Sequence, residues 1–159
     1  MDNYNLNNKW ILWFHSLKNK SWDNKSYIKV IEIKSLLDYK LLEDIMRINH
    51  LQNGMFFLMK NDIFPTWEDP KNRMGGCISY KYDNNILSEW LKILLLCITE
   101  NLSEYNKEIN GLSIAPKKEF NILKIWIKDD SKDYKTLVKE YDPYMKLDKC
   151  MYKKHELSY

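Results

Sequence analysis

A short loop near the middle of the chain places an aromatic ring beside two carboxylates. Trp67, Glu68 and Asp69 lie within residues 64–72, a run that contains two prolines and therefore favours a turn. An indole face attracts flat cationic rings, and a carboxylate accepts hydrogen bonds from nearby N–H donors. This combination suits the recognition of a flat, positively charged ring that donates hydrogen bonds. The alternative, from this segment alone, is a surface turn around a half-buried Trp.

A second loop offers another indole. Trp22 is flanked by Lys, Ser, Asp and Asn, so we expect a loop in which the ring is at least partly exposed. Two such indoles can close on both faces of one base, and stacking contributes about 1–3 kcal/mol per base. The alternative, that each ring lies flat on a sheet edge, is equally consistent with the sequence. Lys117 and Lys118 follow Pro116 in a predicted turn, either as contacts for an anionic group or as two solvated lysines.

Catalysis has little support in the sequence. The three His are scattered, and Cys77, Cys97 and Cys150 are too widely spaced for a paired-cysteine zinc motif. Neither a phosphate-binding glycine loop nor a nucleophile elbow occurs. We therefore predict a binding protein that is not an enzyme and uses no metal or cofactor. A net charge of +3 permits a phosphate ligand but is low for a protein that binds duplexes without regard to sequence.

The pattern of apolar residues predicts an α+β fold in a single domain over residues 1–159. Ser35 and Asp38 form a capping box for a first helix, whose apolar face runs from Leu37 to Ile48 through Leu41, Leu42 and Ile45. A second helix, at 86–99, should be the most buried, and a third begins near Ser131 and reaches Tyr141. The predicted strands are 9–14, 26–33, 55–59, 77–82, 112–116, 122–127 and 149–153. This order favours an antiparallel sheet with helices on one face and a free opposite face.

A secretory signal peptide and a membrane-spanning segment are not expected from the sequence. The first residues lack a basic start followed by an apolar run, and the most apolar stretch, 93–98, is too short to span a bilayer. We therefore expect a cytoplasmic protein with no membrane partner.

The six tryptophans together carry a family resemblance. From about residue 6 to residue 155, the chain resembles the eukaryotic translation initiation factor 4E family, which binds the mRNA 5′ cap. The Asn- and Lys-rich composition is typical of an AT-rich genome and indicates a divergent or viral member. The resemblance rests on the order and spacing of Trp10, Trp13, Trp22, Trp67, Trp90 and Trp126 and on the motifs around them.

The resemblance implies a fold and a site for the cap. The family fold is a curved antiparallel sheet with three helices on its convex face and the cap-binding slot on the concave side. Trp22 and Trp67 should sandwich the 7-methylguanine, with Trp126 against its methyl group. Glu68 should accept the hydrogen bonds of the base, which leaves Asp69 to shape the turn.

The phosphate side of the site departs from the family. The Arg that usually follows the Gly-Gly pair is Cys77 here, and a further basic position falls near Ile122. Lys117, at the position of another family Arg, and Lys118 are left to hold the cap phosphates as point charges. The tail near Lys153 is the alternative.

The dorsal side departs from the family as well. Leu91 and Leu95 match the pair that docks a helical motif of a scaffold or inhibitor, but the expected Trp is Lys40 and an acidic position is Lys92. Two lysines on an apolar groove should reject the usual partner. The partner that the resemblance implies is a scaffold of the initiation factor 4G type, and the two lysines favour a divergent equivalent of it. Otherwise the chain sequesters caps as a regulator or decoy, or is a general module for single-stranded RNA.

Overall fold

Seven strands form one curved antiparallel sheet in the computed structural model, which describes residues 4–155. Each of the seven predicted strands is confirmed, with ends that differ by a few residues. The spatial order is β2-β1-β3-β5-β6-β4-β7. The strands are β1 (Asn5–Ser16), β2 (Ile28–Ser35), β3 (Gly54–Lys60), β4 (Gly76–Tyr82), β5 (Ile109–Pro116), β6 (Asn121–Ile127) and β7 (Cys150–Lys154).

Alternation along the strands gives the sheet two different faces. On β1, Trp10 and Leu12 point into the main core beneath the helices, whereas Trp13 joins a smaller cluster on the opposite face. We call that opposite, concave side the open face. Its apolar cluster, the open-face cluster, comprises Trp13, Tyr27, Met55, Phe57, Met59, Ile63, Cys77 and Trp126.

Helix α1 (Leu36–Ile45) begins at the predicted capping box. The Ser35 hydroxyl accepts from the Asp38 N–H, and the Asp38 carboxylate accepts from the Ser35 N–H. Within α1 the predicted apolar face is confirmed only at Leu42, because Leu37, Leu41 and Ile45 are exposed. The buried stripe instead consists of Tyr39, Leu42 and Met46, which recur at helical spacing three and four residues apart.

A short helix that the sequence analysis missed follows α1. The chain leaves the helical conformation at Met46 and Arg47, and α2 (Ile48–Asn53) then leads into β3. Ile48 therefore belongs to α2 and not to the first helix. Because α2 has only six residues, its periodicity was too short to recognise in the sequence.

Helix α3 (Leu87–Ile98) is confirmed as the most buried helix, and its Trp90 is completely enclosed. The predicted third helix is much shorter than expected, because α4 spans only Tyr134–Leu137. Val138 is extended, and the Lys139 N–H donates to the Leu102 carbonyl at 2.8 Å. That bond holds the chain in an extended conformation beyond the helix. The α+β class is confirmed, with four α-helices between residues 4 and 155 where three were predicted.

Candidate functional site

The loop between β3 and β4 carries Trp67 and Glu68, and Asp69 organises it. The Asp69 carboxylate accepts from the Phe64 N–H at 3.0 Å and from the Lys71 N–H at 2.8 Å. Asp69 therefore shapes the turn, as predicted. Trp67 is half-buried and Glu68 is exposed. Within residues 4–155, Glu68 forms neither a side-chain hydrogen bond nor an ion pair, so its oxygens remain available to a ligand.

A buried amide supports the same loop from below. Asn72 has no exposed surface, and its Nδ2 donates to the carbonyls of Phe64 at 3.0 Å and Thr66 at 2.8 Å. Its Oδ1 accepts from Nδ2 of Asn110, on β5, at 2.9 Å. The loop is therefore fixed to the sheet by two amides that the sequence analysis missed. In the sequence, these two amides were distinguished only as polar residues among apolar and turn residues, which was too little to predict their role.

An aromatic group joins this loop to the loop of Trp22. The Trp22 side chain is 55% exposed and stacks on His15, with ring centroids 3.6 Å apart and planes inclined by 4°. Tyr27 contacts both rings edge-on, at 5.2 Å from His15 and 6.1 Å from Trp22. Tyr27 also lies 5.3 Å from Phe64, at the start of the Trp67 loop. The two predicted indole loops therefore meet through Tyr27.

Tyr27, at the centre of this aromatic group, has a perturbed acidity. Burial, and secondarily the negative charge of Glu68, raises the pKa of Tyr27 to about 12. The sequence analysis missed both Tyr27 and His15. The alternation of β1 was a usable signal for His15, since it places that residue on the same face as Trp13.

Trp126 forms a rigid part of the open face. The ring is 6% exposed, and its Nε1–H donates to the Ser113 hydroxyl at 3.0 Å. It contacts Phe57 edge-on at 6.3 Å and His155 at 5.3 Å. Burial, followed by the charge of Lys124, lowers the pKa of His155, which favours the neutral form of the imidazole beside Trp126. Trp126 belongs to the open-face cluster, which also includes Tyr27, the residue whose ring contacts Trp22.

The predicted phosphate ligands lie elsewhere in the structure. Lys117 and Lys118 are exposed in the turn between β5 and β6, where they line a cavity with Ile48 and Leu51 of α2. These contacts place the pair beside a helix, at one end of the sheet. Their role in phosphate binding stays a prediction.

Lys153, the alternative predicted from the sequence, lies on the open face together with Lys124. Cys77 pairs with Trp126 in the β4–β6 register and with Lys153 in the β4–β7 register, so the three side chains share one face. Lys124 is two residues from Trp126 on β6 and therefore also faces that side. Burial raises the pKa of the Cys77 thiol to about 12, and the Lys124 charge opposes this shift. Lys124 and Lys153 thus provide exposed positive charge around Trp126.

The predicted dorsal residues come together on the helical side. The Tyr39 hydroxyl of α1 donates to the Leu91 carbonyl of α3 at 3.0 Å. Leu91 is buried and Leu95 half-buried, whereas Lys40 is exposed. Lys40 also forms ion pairs within its own helix, which keep its charge at the surface.

Fold and site together define a class of protein, in which helices cover one face of a curved antiparallel sheet and an aromatic surface lies on the other. The family model described as "Eukaryotic initiation factor 4E" matches residues 5–159. The chain belongs to the eukaryotic initiation factor 4E family, which confirms the resemblance found in the sequence.

Relatives from fungi agree with this membership. The translation initiation factor 4E of Saccharomyces cerevisiae is 27% identical over 144 residues, which cover 80% of this chain and 63% of the yeast protein. The Candida albicans factor is 31% identical over 143 residues, covering 83% of this chain and 68% of the relative. The chain thus spans about two-thirds of the length of these relatives.

Solved structures share the fold. Caenorhabditis elegans initiation factor 4E-3, in complex with the 4E-binding protein Mextli and a cap analogue, is 26% identical with a TM-score of 0.74. The match covers 82% of this chain and 77% of that one. Ascaris suum initiation factor 4E-3 with the m7G cap is 20% identical with a TM-score of 0.71, covering 81% and 76%.

Proposed function

We propose that this chain binds the 7-methylguanosine cap of mRNA and acts in translation initiation. Its family supports this function, as do the cap ligands named for the similar nematode structures. One observation carries the proposal: the exposed Trp22 ring contacts Tyr27, which in turn contacts Phe64 at the start of the loop that carries Trp67 and the free carboxylate of Glu68. The seven strands between residues 4 and 155 form one sheet, which supports a single binding domain.

The proposed recognition exploits the charge of the methylated base. Methylation makes the guanine cationic, and two electron-rich indole faces, Trp22 and Trp67, attract a cationic ring by about 0.5–2 kcal/mol more than a neutral one. Glu68 accepts the N1–H and N2–H bonds of the base, and Trp126 lies against the methyl group. Binding of this kind requires no bond to be made or broken, consistent with a protein that is not an enzyme.

The cap phosphates have two candidate positions. Lys117 and Lys118 are the pair predicted from the sequence, whereas Lys124 and Lys153 lie on the same face as Trp126. The shared face favours the second pair, because phosphates attached to a base near Trp126 extend over neighbouring side chains of that face. Either pair would act as point charges, without the paired hydrogen bonds of Arg.

The protein partner is proposed to bind the helical side. A scaffold of the initiation factor 4G type, or a divergent equivalent, would contact Leu91 and Leu95 beside Lys40. Nematode and schistosome structures of this fold carry 4E-binding proteins, namely Mextli and 4E-BP. The exposed charges of Lys40 and Lys92 favour the second candidate function, a regulator that sequesters caps without the usual scaffold.

We also propose that the protein works in the cytoplasm, a location supported by its similarity to translation initiation factors. Between residues 4 and 155, none of the helices has the length and apolar character needed to cross a bilayer.

Glu68→Gln tests the proposed site. The amide retains the size of the side chain but removes the charge and one acceptor, leaving a donor of the base without a good partner. We expect the affinity for 7-methyl-GTP, measured by quenching of Trp fluorescence, to fall by about 1–3 kcal/mol, roughly 5- to 150-fold. Glu104→Gln is the matched control, since Glu104 is also exposed and has no side-chain bond within the described chain. Unchanged affinity in Glu68→Gln, or an equal loss in both variants, would exclude Glu68 as the reader of the base.

A further inference from the structure

His15 has an unusual environment for a histidine. It lies on β1, is 1% exposed, and its ring is parallel to the exposed Trp22 indole at a centroid distance of 3.6 Å. Its Nε2 lies 2.7 Å from the Ser21 carbonyl oxygen. Because a carbonyl can only accept, Nε2 carries the proton and donates this bond.

These two contacts restrain one short segment. Within the described chain, the bond from His15 to Ser21 is the one hydrogen bond that ties residues 20–25 to the sheet. The other bonds of the segment are local, such as the Asp23 N–H to the Ser21 hydroxyl at 3.3 Å. The hydrogen bond holds the residue before Trp22, and the stacking holds the plane of the Trp22 ring. Both restraints originate from a single buried side chain.

We propose that His15 is a positioning residue for the base ligand, acting through Trp22. The imidazole covers one face of the indole, so a base stacks on the other face and extends a column of rings that begins at His15. A ring already fixed in the free protein loses less conformational entropy on binding, which raises affinity. This inference rests on the proposed function, since the ligand that it concerns is the 7-methylguanine cap.

Three variants separate the two contacts of His15. His15→Ala removes both, His15→Phe keeps a flat ring without the hydrogen bond, and His15→Gln keeps a donor without the ring. We expect His15→Ala to weaken 7-methyl-GTP binding by about five- to tenfold, with a smaller loss in His15→Phe. His50→Ala is the control, since His50 is an exposed histidine on α2. Urea denaturation of each variant reports whether it is folded.

A double-mutant cycle distinguishes positioning from general destabilisation. If His15 acts through Trp22, His15→Ala should have almost no further effect on affinity in a Trp22→Ala background. An equal loss in both backgrounds, or wild-type affinity in folded His15→Ala, would overturn the proposal.

Acrylamide quenching of the free protein tests the contact without a ligand. The Trp22 contribution is the difference between each variant and its Trp22→Phe partner. His15→Ala should make that contribution more accessible to quencher, and unchanged quenching would contradict the restraint of the ring. If wild-type protein fails to bind 7-methyl-GTP, the proposed function fails while this measurement still decides the role of His15.

Discussion

Replacing Asn72 by Ala should loosen the loop that presents Trp67 and Glu68. The buried Asn72 amide donates to two backbone carbonyls and accepts from Asn110. Removing it leaves both carbonyls without that donor, whereas Nδ2 of Asn110 keeps its bond to the Lys71 carbonyl at 2.8 Å. Each carbonyl keeps one backbone donor, the Thr66 N–H for Phe64 at 2.8 Å and the Asp69 N–H for Thr66 at 3.3 Å. For the two lost hydrogen bonds we expect a decrease of about 1–3 kcal/mol in the free energy of unfolding.

Urea denaturation followed by circular dichroism measures this loss. A destabilisation of that size should also lower the melting temperature by about 2–12 °C for a chain of this length. Asn53→Ala is the matched control, because the exposed Asn53 donates one amide bond to the Asn49 carbonyl at 2.8 Å. We expect the control to change stability by no more than about 0.5 kcal/mol. Equal stabilities of wild type and folded Asn72→Ala would refute the role of this amide.

Three further outcomes follow from charges in the structure. Lys124→Gln should weaken binding of 7-methyl-GTP by about 1.5- to 5-fold, since a solvent-exposed ionic contact contributes about 0.2–1 kcal/mol. Binding of 7-methylguanosine, which lacks the phosphates, should be unchanged in calorimetric titration. Titration of Lys117→Gln with the same two ligands decides between the two candidate phosphate positions. Burial lowers the pKa of His155 in the folded protein, so the unfolded chain takes up this proton first as the pH falls below about 6.5. The free energy of unfolding should therefore decrease as the pH is lowered from about 7.5 to about 5.5. His155→Phe should decline less over that interval in urea denaturation, and parallel curves would contradict the shift. Lys40→Leu should strengthen binding of a labelled peptide carrying the helical motif of the family's scaffolds, and unchanged fluorescence polarisation would exclude Lys40 as the obstacle.

The sequence predicted the strands well because their alternation is strong. Along β6, residues 122–127 alternate between the core and the open face, and the pattern is visible without a structure. The predicted face of α1 was right at Leu42 but wrong at Leu37 and Leu41, which look like core residues and are exposed, and it missed the buried Tyr39. Propensity alone cannot tell which side of a helix the sheet will occupy.

The site was predictable only in part. Six tryptophans at family spacing pointed to Trp22 and Trp67, and the structure joins their two loops through Tyr27. The contributions of Lys124 and His15 depend on strand register and on where the 17–27 loop folds back. Such relationships join residues on different segments, so local sequence carries little trace of them.

The central claim is selective recognition of a methylated cap, and isothermal titration of the wild-type protein with 7-methyl-GTP and with GTP tests it directly. The two nucleotides differ by one methyl group and its positive charge, while their phosphates are the same. The two-indole site predicts that 7-methyl-GTP binds about 2- to 30-fold more tightly, corresponding to about 0.5–2 kcal/mol of cation–π attraction. Equal dissociation constants for the two nucleotides would contradict cap recognition by this site.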